Sequence, residues 1–170
     1  MTKDFTGFRN SFFALVEQAQ HVVITAHYSP DDDSIASVLS TYTILKAKYA
    51  DKDIRIVYTG PIVDRYNIFH HFDQIEWVDD IAYHLDDTDL LIVLDVNNLK
   101  RVSNAAEKIQ VSNTICIDHH ASAPDTFTLS LIDSSYSSNS ELVYHALEVQ
   151  TIVTPDLAKL FLLGILGDTG

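Results

Sequence analysis

The sequence predicts an α/β fold: a parallel, Rossmann-like sheet with helices on both faces, in one domain over residues 1–170. Three observations carry that expectation. Short, β-branched apolar runs alternate with longer segments of helical period, the pattern of strands buried between helices. A length of 170 residues suits one sizeable core and is marginal for two. Repeats, low-complexity runs and linkers are absent from the sequence.

The elements follow in order. Phe5, Phe8, Phe12, Leu15, Val16 and Ala19 recur at helical spacing and mark an amphipathic helix. His21 to Ala26 is a short apolar run, read as a buried strand. After a polar turn, Ile35, Val38, Leu39, Tyr42, Leu45 and Tyr49 line a second helix. Further strands are expected over 54–58, 90–96 and 114–117, with helical or irregular segments near 63–72 and 101–109. Another strand is expected over 127–132. A helix carrying Leu142, Val143, Ala146 and Leu147 follows, and then one opening at Pro155, where proline suits the first turn.

Composition narrows the function. Eleven basic residues against 24 acidic ones give a formal charge of −13. A domain that grips nucleic acid through a basic face alone is thereby excluded, because phosphates need neutralising positive charge. The single cysteine, Cys116, lies inside an expected strand and is read as a buried thiol; it cannot form an internal disulfide. The N-terminus lacks the basic start and apolar core of a signal peptide. The longest apolar stretch, 160–166 with Gly164 inside it, is far too short to span a bilayer. A cytoplasmic protein with no membrane partner is the expectation. The last residues, Gly167-Asp168-Thr169-Gly170, are an unusual end for a complete protein. There is no GxGxxG, no GxxxxGK[ST], no GxSxG and no CxxC, which removes support for dinucleotide, P-loop, α/β-hydrolase and zinc-ribbon readings.

In open parallel sheets ligands sit beyond the carboxyl ends of the strands. That edge is where the acids and histidines cluster here: His27, Asp31 and Asp33 after the first strand, Asp95 after LLIVL, Asp118-His119-His120 after TICI, and Asp168 in the final helix. Singly, each has a plainer role. Asp31 to Asp33 could cap the next helix, and Asp95 could be a turn acid. His21, His84, His145 and the His70-His71 pair have no acid cluster beside them and are read as structural. Jointly, five carboxylates (Asp31, Asp33, Asp95, Asp118 and Asp168) at one sheet edge would repel one another unless cations intervene. Mixed imidazole and carboxylate donors suit Mn²⁺, Fe²⁺, Co²⁺ or Zn²⁺ better than Ca²⁺, and their number suggests two ions.

Taken in order, His27-x-x-Pro30-Asp31-x-Asp33, Asp95 closing a strand, Asp118-His119-His120 and Gly167-Asp168-Thr169-Gly170 give the chain its resemblance to the N-terminal domain of the DHH phosphoesterase superfamily. The motifs span residues 27 to 170. The 95–101 and 140–144 segments look like the oligoribonuclease and 3′-phosphoadenosine-5′-phosphate phosphatase group. Two departures stand out. Asp32 occupies a position that is commonly Gly, and the chain stops at the fourth motif, where the family usually continues into a basic, glycine-rich substrate domain.

The resemblance implies a hydrolase of short oligoribonucleotides or nucleotide phosphates that uses two divalent ions, Mn²⁺ first, with Mg²⁺ or Co²⁺ as alternatives. It implies His27, Asp31 and Asp95 on one ion, and Asp33, Asp95, His119 and Asp168 on the other. His120 would contact the phosphate, and Asp118 would orient an adjacent imidazole. Arg101 is the cation best suited to a substrate phosphate, a solvated arginine being the alternative. A pyrophosphatase or a cyclic-dinucleotide phosphodiesterase of the same chemistry, and a non-enzymatic metal- or nucleotide-binding sensor, are the competing readings. A missing C-terminal substrate domain is expected as a partner, and a homodimer is left open.

Overall fold

The computed structural model describes residues 3–170. Six strands form one all-parallel sheet: β1 (His21–Thr25), β2 (Asp53–Thr59), β3 (Ile75–Val78), β4 (Asp89–Leu94), β5 (Asn113–Asp118) and β6 (Leu129–Ile132). Their order is β3-β2-β1-β4-β5-β6. The chain runs outward from β1 to β3 and then returns to place β4 on the other side of β1. This reversal creates a crevice at the carboxyl ends of β1 and β4, the place where such sheets bind ligands.

Alternation along each strand divides the core in two. Val22 and Ile24, Ile54 and Ile56, Leu90 and Ile92, and Ile115 and Ile117 face the helices α1 (Thr6–Gln18), α2 (Asp32–Lys48) and α3 (Asn139–Ala146). Val23, Val57, Leu91 and Val93 face the other way and are covered by Ile81, Val96 and Val102 from short 3₁₀ turns and loops. Helical cover on the two faces is therefore unequal, long α-helices on one and single turns on the other. The last helix, α4 (Pro155–Thr169), packs across α2 and α3 rather than on the sheet.

That third layer explains the composition of α2. Sandwiched between the sheet and α4, it is buried from Asp33 to Tyr42, including Ser34, Ser37, Ser40 and Thr41. Small hydroxyl residues let the neighbouring backbones approach, and Ser40 satisfies its hydroxyl on the Ser37 carbonyl at 3.1 Å.

The structure corrects the expected elements in two places. The 90–96 strand ends at Leu94, because Asp95 turns into the left-handed region at φ +59°. The 101–109 segment takes the irregular form of the two expected, with only the 3₁₀ turns Leu99–Arg101 and Ala106–Lys108 forming around it. Strand β3 was not foreseen. It is a four-residue edge strand whose Trp77 stacks on Tyr58 at 5.5 Å. Among the described residues, no helix is long and apolar enough to cross a membrane.

Candidate metal centre

Each strand end delivers its side chains for a local reason. After β1, the chain turns through Ser29 at φ +60° and enters α2 at Asp31, which is the N-cap. Asp31 Oδ1 accepts from the Ser34 N–H at 2.9 Å, and the Asp31 N–H donates to Ser34 Oγ at 3.0 Å, a reciprocal capping box. The capping role and the site role coexist, because the other oxygen, Oδ2, lies 3.3 Å from His27 Nε2. The His27 ring is oriented by its Nδ1, whose N–H donates to the Tyr28 carbonyl at 3.0 Å, so the neutral imidazole keeps its Nε2 lone pair for a metal.

Asp33 is buried in the first turn of α2, where two backbone N–H groups at the start of α3 meet its carboxylate. Asn139 N donates to Oδ2 at 2.6 Å and Ser140 N to Oδ1 at 2.9 Å. Asp95 is held by its own backbone. Its N–H donates to the Ile117 carbonyl at 3.0 Å. The buried Asn139 amide is satisfied at both ends when its nitrogen donates to the Ile117 carbonyl (2.9 Å). Its oxygen then accepts from the Asp95 N–H (3.1 Å) and the Ser37 hydroxyl (3.0 Å). A non-glycine residue at positive φ is strained, and such strain persists where surrounding contacts over-determine it.

The loop after β5 brings the histidine pair. Asp118 Oδ1 lies 2.7 Å from His120 Nδ1, so this carboxylate orients His120 rather than His119. Asn97 pins the same loop: its amide nitrogen donates to the carbonyls of His120 (3.4 Å) and Ser122 (3.3 Å), and its oxygen accepts from Ser122 Oγ (2.8 Å). Asp168 reaches in from the last turn of α4. A carboxylate at a helix C-terminus opposes the helix dipole, and no basic residue in that turn offsets it.

The two oxygens of Asp95 look in different directions. Oδ2 lies 3.5 Å from His27 Nε2, and Oδ1 lies 3.5 Å from His119 Nε2 and 3.7 Å from His120 Nδ1. His119 Nε2 also stands 3.1 Å from Asp168 and 3.9 Å from Asp33. Three groups that could hold a metal ion overlap here: His27 with Asp31 and Asp95, Asp33 with His119 and Asp168, and Asp95 with His119 and His120. His120 Nδ1 is already committed to Asp118, which weakens the third group.

Electrostatics point the same way. Burial works against charge on His27, but Asp31 and Asp95 outweigh it and push the imidazole up to about 10. Asp95 raises His119 to about 9 against the effect of burial. Burial and then the Asp95 charge raise the Asp33 carboxyl well above the usual range, and the same two causes raise Asp168. Asp95 Oδ1, Asp118 Oδ2 and His119 Nε2 are buried with no hydrogen-bond partner among the described residues. Orphaned buried acceptors and crowded carboxylates carry a penalty that a bound cation removes. The donor set therefore fits divalent metal.

All eight residues expected at the metal edge, His27, Asp31, Asp33, Asp95, Asp118, His119, His120 and Asp168, come together. Arg101 touches this neighbourhood through its backbone, its carbonyl accepting from the Tyr28 N–H at 2.6 Å, while its side chain is exposed. The unusual Asp32 leaves the helix start undistorted. Its Oδ1 accepts from Tyr66 OH (2.6 Å) and Arg65 Nη2 (2.7 Å), so its charge is paired outside the centre. His21 pairs with Asp53 at the opposite end of the sheet. The His70 and His71 rings lie 3.8 Å apart, tilted by 48°, and belong to no such donor group.

Sequence reasoning missed Ser37, Asn97 and Asn139. For Asn139 there was a signal. Ser138-x-x-Glu141 is a capping pattern, and Ser138 Oγ does accept from Glu141 N at 3.0 Å. It marks a helix start, and a helix start aimed at the strand ends is where backbone N–H groups meet an acid.

Comparison with known proteins bears on the family and the fold. The DHH family, N-terminal domain, matches residues 21–165. The chain is 27% identical over 169 residues to the "probable bifunctional oligoribonuclease and PAP phosphatase NrnA" of Streptococcus mutans, covering 97% of this chain and 50% of that protein. It is 28% identical over 157 residues to the "bifunctional oligoribonuclease and PAP phosphatase NrnA" of Bacillus subtilis, covering 88% and 46%. A crystal structure of an exopolyphosphatase-related protein from Bacteroides fragilis superposes with a TM-score of 0.84 at 25% identity, covering 96% of this chain and 50% of that one. The chain spans about half the length of the curated relatives it matches.

Proposed function

The chain belongs to the DHH family, and on that premise we propose that it is the catalytic domain of a two-metal phosphoesterase. Its substrates are proposed to be short oligoribonucleotides or 3′-phosphoadenosine-5′-phosphate, with Mn²⁺ as the preferred ion. The observation that supports this most directly is Asp95, whose two oxygens each lie 3.5 Å from the Nε2 of a different histidine, His27 and His119, and those two histidines belong to different donor groups. His27, Asp31 and Asp95 would hold one ion, and Asp33, His119 and Asp168, with Asp95 shared, the other. Two ions held there would supply an acidified water for in-line attack and would draw charge from the phosphoryl oxygens.

The protein's own groups do the rest. His27 is kept in one tautomer by the Tyr28 carbonyl, and the Asp33 carboxylate is held by the α3 N–H pair. Asp118 holds the His120 ring through Nδ1, which leaves Nε2 to contact a substrate phosphate or to protonate its leaving oxygen. Arg101 is proposed to neutralise a second phosphate. A further domain, beyond the length described here, would supply the remaining positive charge for a polyanionic substrate; the relatives named above are about twice as long.

Protons compete with metal at this centre. The imidazoles of His27 and His119 are raised to about 10 and about 9, and the Asp33 carboxyl is raised as well, so ions must displace protons to bind. Metal affinity is therefore expected to rise with pH between 6 and 9. For folding, a group whose pKa is raised in the native state stabilises the fold below its unfolded pKa, and that stability is lost as pH climbs through the folded value. The metal-free protein should thus lose stability toward alkaline pH while the Mn²⁺-loaded protein gains on it. Thermal melts with and without Mn²⁺ at pH 6, 7.5 and 9 should show the metal-induced rise in Tm growing at each step. A constant or shrinking increment contradicts the assignment of these histidines.

The activity test is a substrate panel with Mn²⁺-loaded protein, using both this chain and its longest natural form. Mononucleotide release from a short oligoribonucleotide and phosphate release from 3′-phosphoadenosine-5′-phosphate should exceed turnover of pyrophosphate and of a cyclic dinucleotide. Preference for either of the latter overturns the substrate assignment. Metal binding with no hydrolysis of any of the four overturns the enzyme assignment in favour of a sensor.

A further inference from the structure

Two aromatic side chains are strongly exposed among the described residues, Tyr28 and Tyr83. Tyr83 has an evident local role. Its hydroxyl accepts from Lys108 Nζ at 2.8 Å, and the same ammonium lies 5.0 Å from the ring centroid. No such partner accounts for Tyr28, which is 51% exposed although it stands one residue from the buried His27.

The Tyr28 backbone is fixed on both sides. Its N–H donates to the Arg101 carbonyl at 2.6 Å, and its own carbonyl lies 3.0 Å from His27 Nδ1. The ring is braced as well. Gly60 follows β2 at φ +119°, and a Cβ placed there would lie 3.2 Å from Tyr28 Cδ2 and Cε2 and 3.1 Å from the Ser29 nitrogen. A glycine at this point lets the β2 end approach the aromatic ring closely. A half-exposed tyrosine is thereby held between the end of β2 and the turn after β4, on the carboxyl edge of the sheet, next to a residue of the metal centre. Exposing a large apolar ring gains nothing for folding. A rigid aromatic face beside a phosphoryl-binding centre is, however, what a nucleobase stacks on.

We infer that Tyr28 is a stacking platform for the base of a nucleoside phosphate whose phosphate lies at the metal centre. The inference rests on the phosphoesterase reading and deepens it, because it selects nucleotides over inorganic phosphates. Tyr28 contributes a flat apolar face and no hydrogen-bond code, so the platform favours a base without choosing strongly among bases.

The test reads binding rather than turnover, so that it does not depend on hydrolysis. The Mn²⁺-loaded chain is titrated with adenosine 5′-monophosphate and with ribose 5-phosphate, and the ratio of the two Kd values is the readout. The wild type should favour the nucleotide by about tenfold, the order that base–aromatic stacking supplies. In Tyr28→Ala the ratio should fall to near one. Tyr28→Phe should retain it, and Tyr28→Leu, which keeps bulk without an aromatic face, should lose it. A wild-type ratio near one, or a ratio that survives in both Tyr28→Ala and Tyr28→Leu, overturns the inference. If the ratio behaves as expected while the substrate panel shows no hydrolysis, the platform stands and the phosphoesterase reading fails. If hydrolysis occurs with a ratio indifferent to Tyr28, the reverse holds.

Discussion

Asp95→Asn is expected to cut hydrolysis by a factor on the order of 100 or more, and to erase metal-induced stabilisation at the same time. The substitution removes charge and little else. Asparagine tolerates the left-handed backbone at φ +59°, and the main-chain bond from residue 95 to the Ile117 carbonyl does not involve the side chain. Without metal, two effects oppose each other. His27 and His119 each lose a carboxylate 3.5 Å away, while Asp33 and Asp168 lose a neighbouring negative charge that raises them. The metal-free melting temperature should therefore move little. With Mn²⁺, the wild type should gain stability and the variant should not, because the one side chain that faces both His27 and His119 has lost its anionic character. A variant that retains turnover, or that is still stabilised by Mn²⁺ to the wild-type extent, contradicts the shared role.

Gly164→Ala is expected to be the most damaging single-methyl change. A Cβ at Gly164 would stand 2.0 Å from Ser140 Oγ, 2.6 Å from Ser140 Cβ and 2.6 Å from Asp33 Oδ1. None of these atoms can step aside cheaply. Ser140 Oγ lies 3.2 Å from Ser37 Oγ and donates to the Asp33 carbonyl at 3.4 Å, and the Asp33 carboxylate is held by two N–H groups. α4 must move off α2 and α3 instead. Overpacking of this kind costs about 1–3 kcal/mol or more, against a helix-propensity gain of roughly 1 kcal/mol for replacing glycine. In a chain of this size, each kcal/mol lost lowers Tm by about 2–4 °C. Because Asp168 rides on α4, metal affinity should fall together with Tm. Gly7→Ala is the control, since a Cβ there meets nothing within 4 Å in α1 and should leave stability level or slightly raised. Equal melting temperatures for the two variants would show that the helices are not packed at Gly164 as described.

What the sequence makes legible here follows from the reach of each signal. HVVIT and DLLIVL are short apolar runs, visible by composition, and they form β1 and β4. Strand polarity then places the acids and histidines at one edge by topology alone. β3 was hidden because Ile-Glu-Trp-Val is short, alternates at a sheet edge and follows a polar turn. The 101–109 segment left helical and irregular forms open, because Val102 and Ile109 are apolar without a full helical stripe between them. The two side chains cover the second face of the sheet from single 3₁₀ turns. Asn97 and Asn139 act through backbone groups of distant segments, Asn139 reaching Asp95 and Ile117 and Asn97 reaching the His120 loop. No local pattern announces the Asn97 contacts, and the Ser138-x-x-Glu141 pattern marks the start of α3 without showing what the Asn139 side chain reaches. The pairing of the Asp32 charge is equally non-local, since only the fold brings Arg65 and Tyr66 to it.

The central claim is that this edge of the sheet binds two ions through a shared Asp95. Anomalous diffraction from crystals of the Mn²⁺-loaded protein tests it most directly. Two manganese peaks on either side of the Asp95 carboxylate, one beside His27 and Asp31 and the other beside His119 and Asp168, are the predicted result. A single peak, or peaks that leave Asp95 unligated, would contradict it.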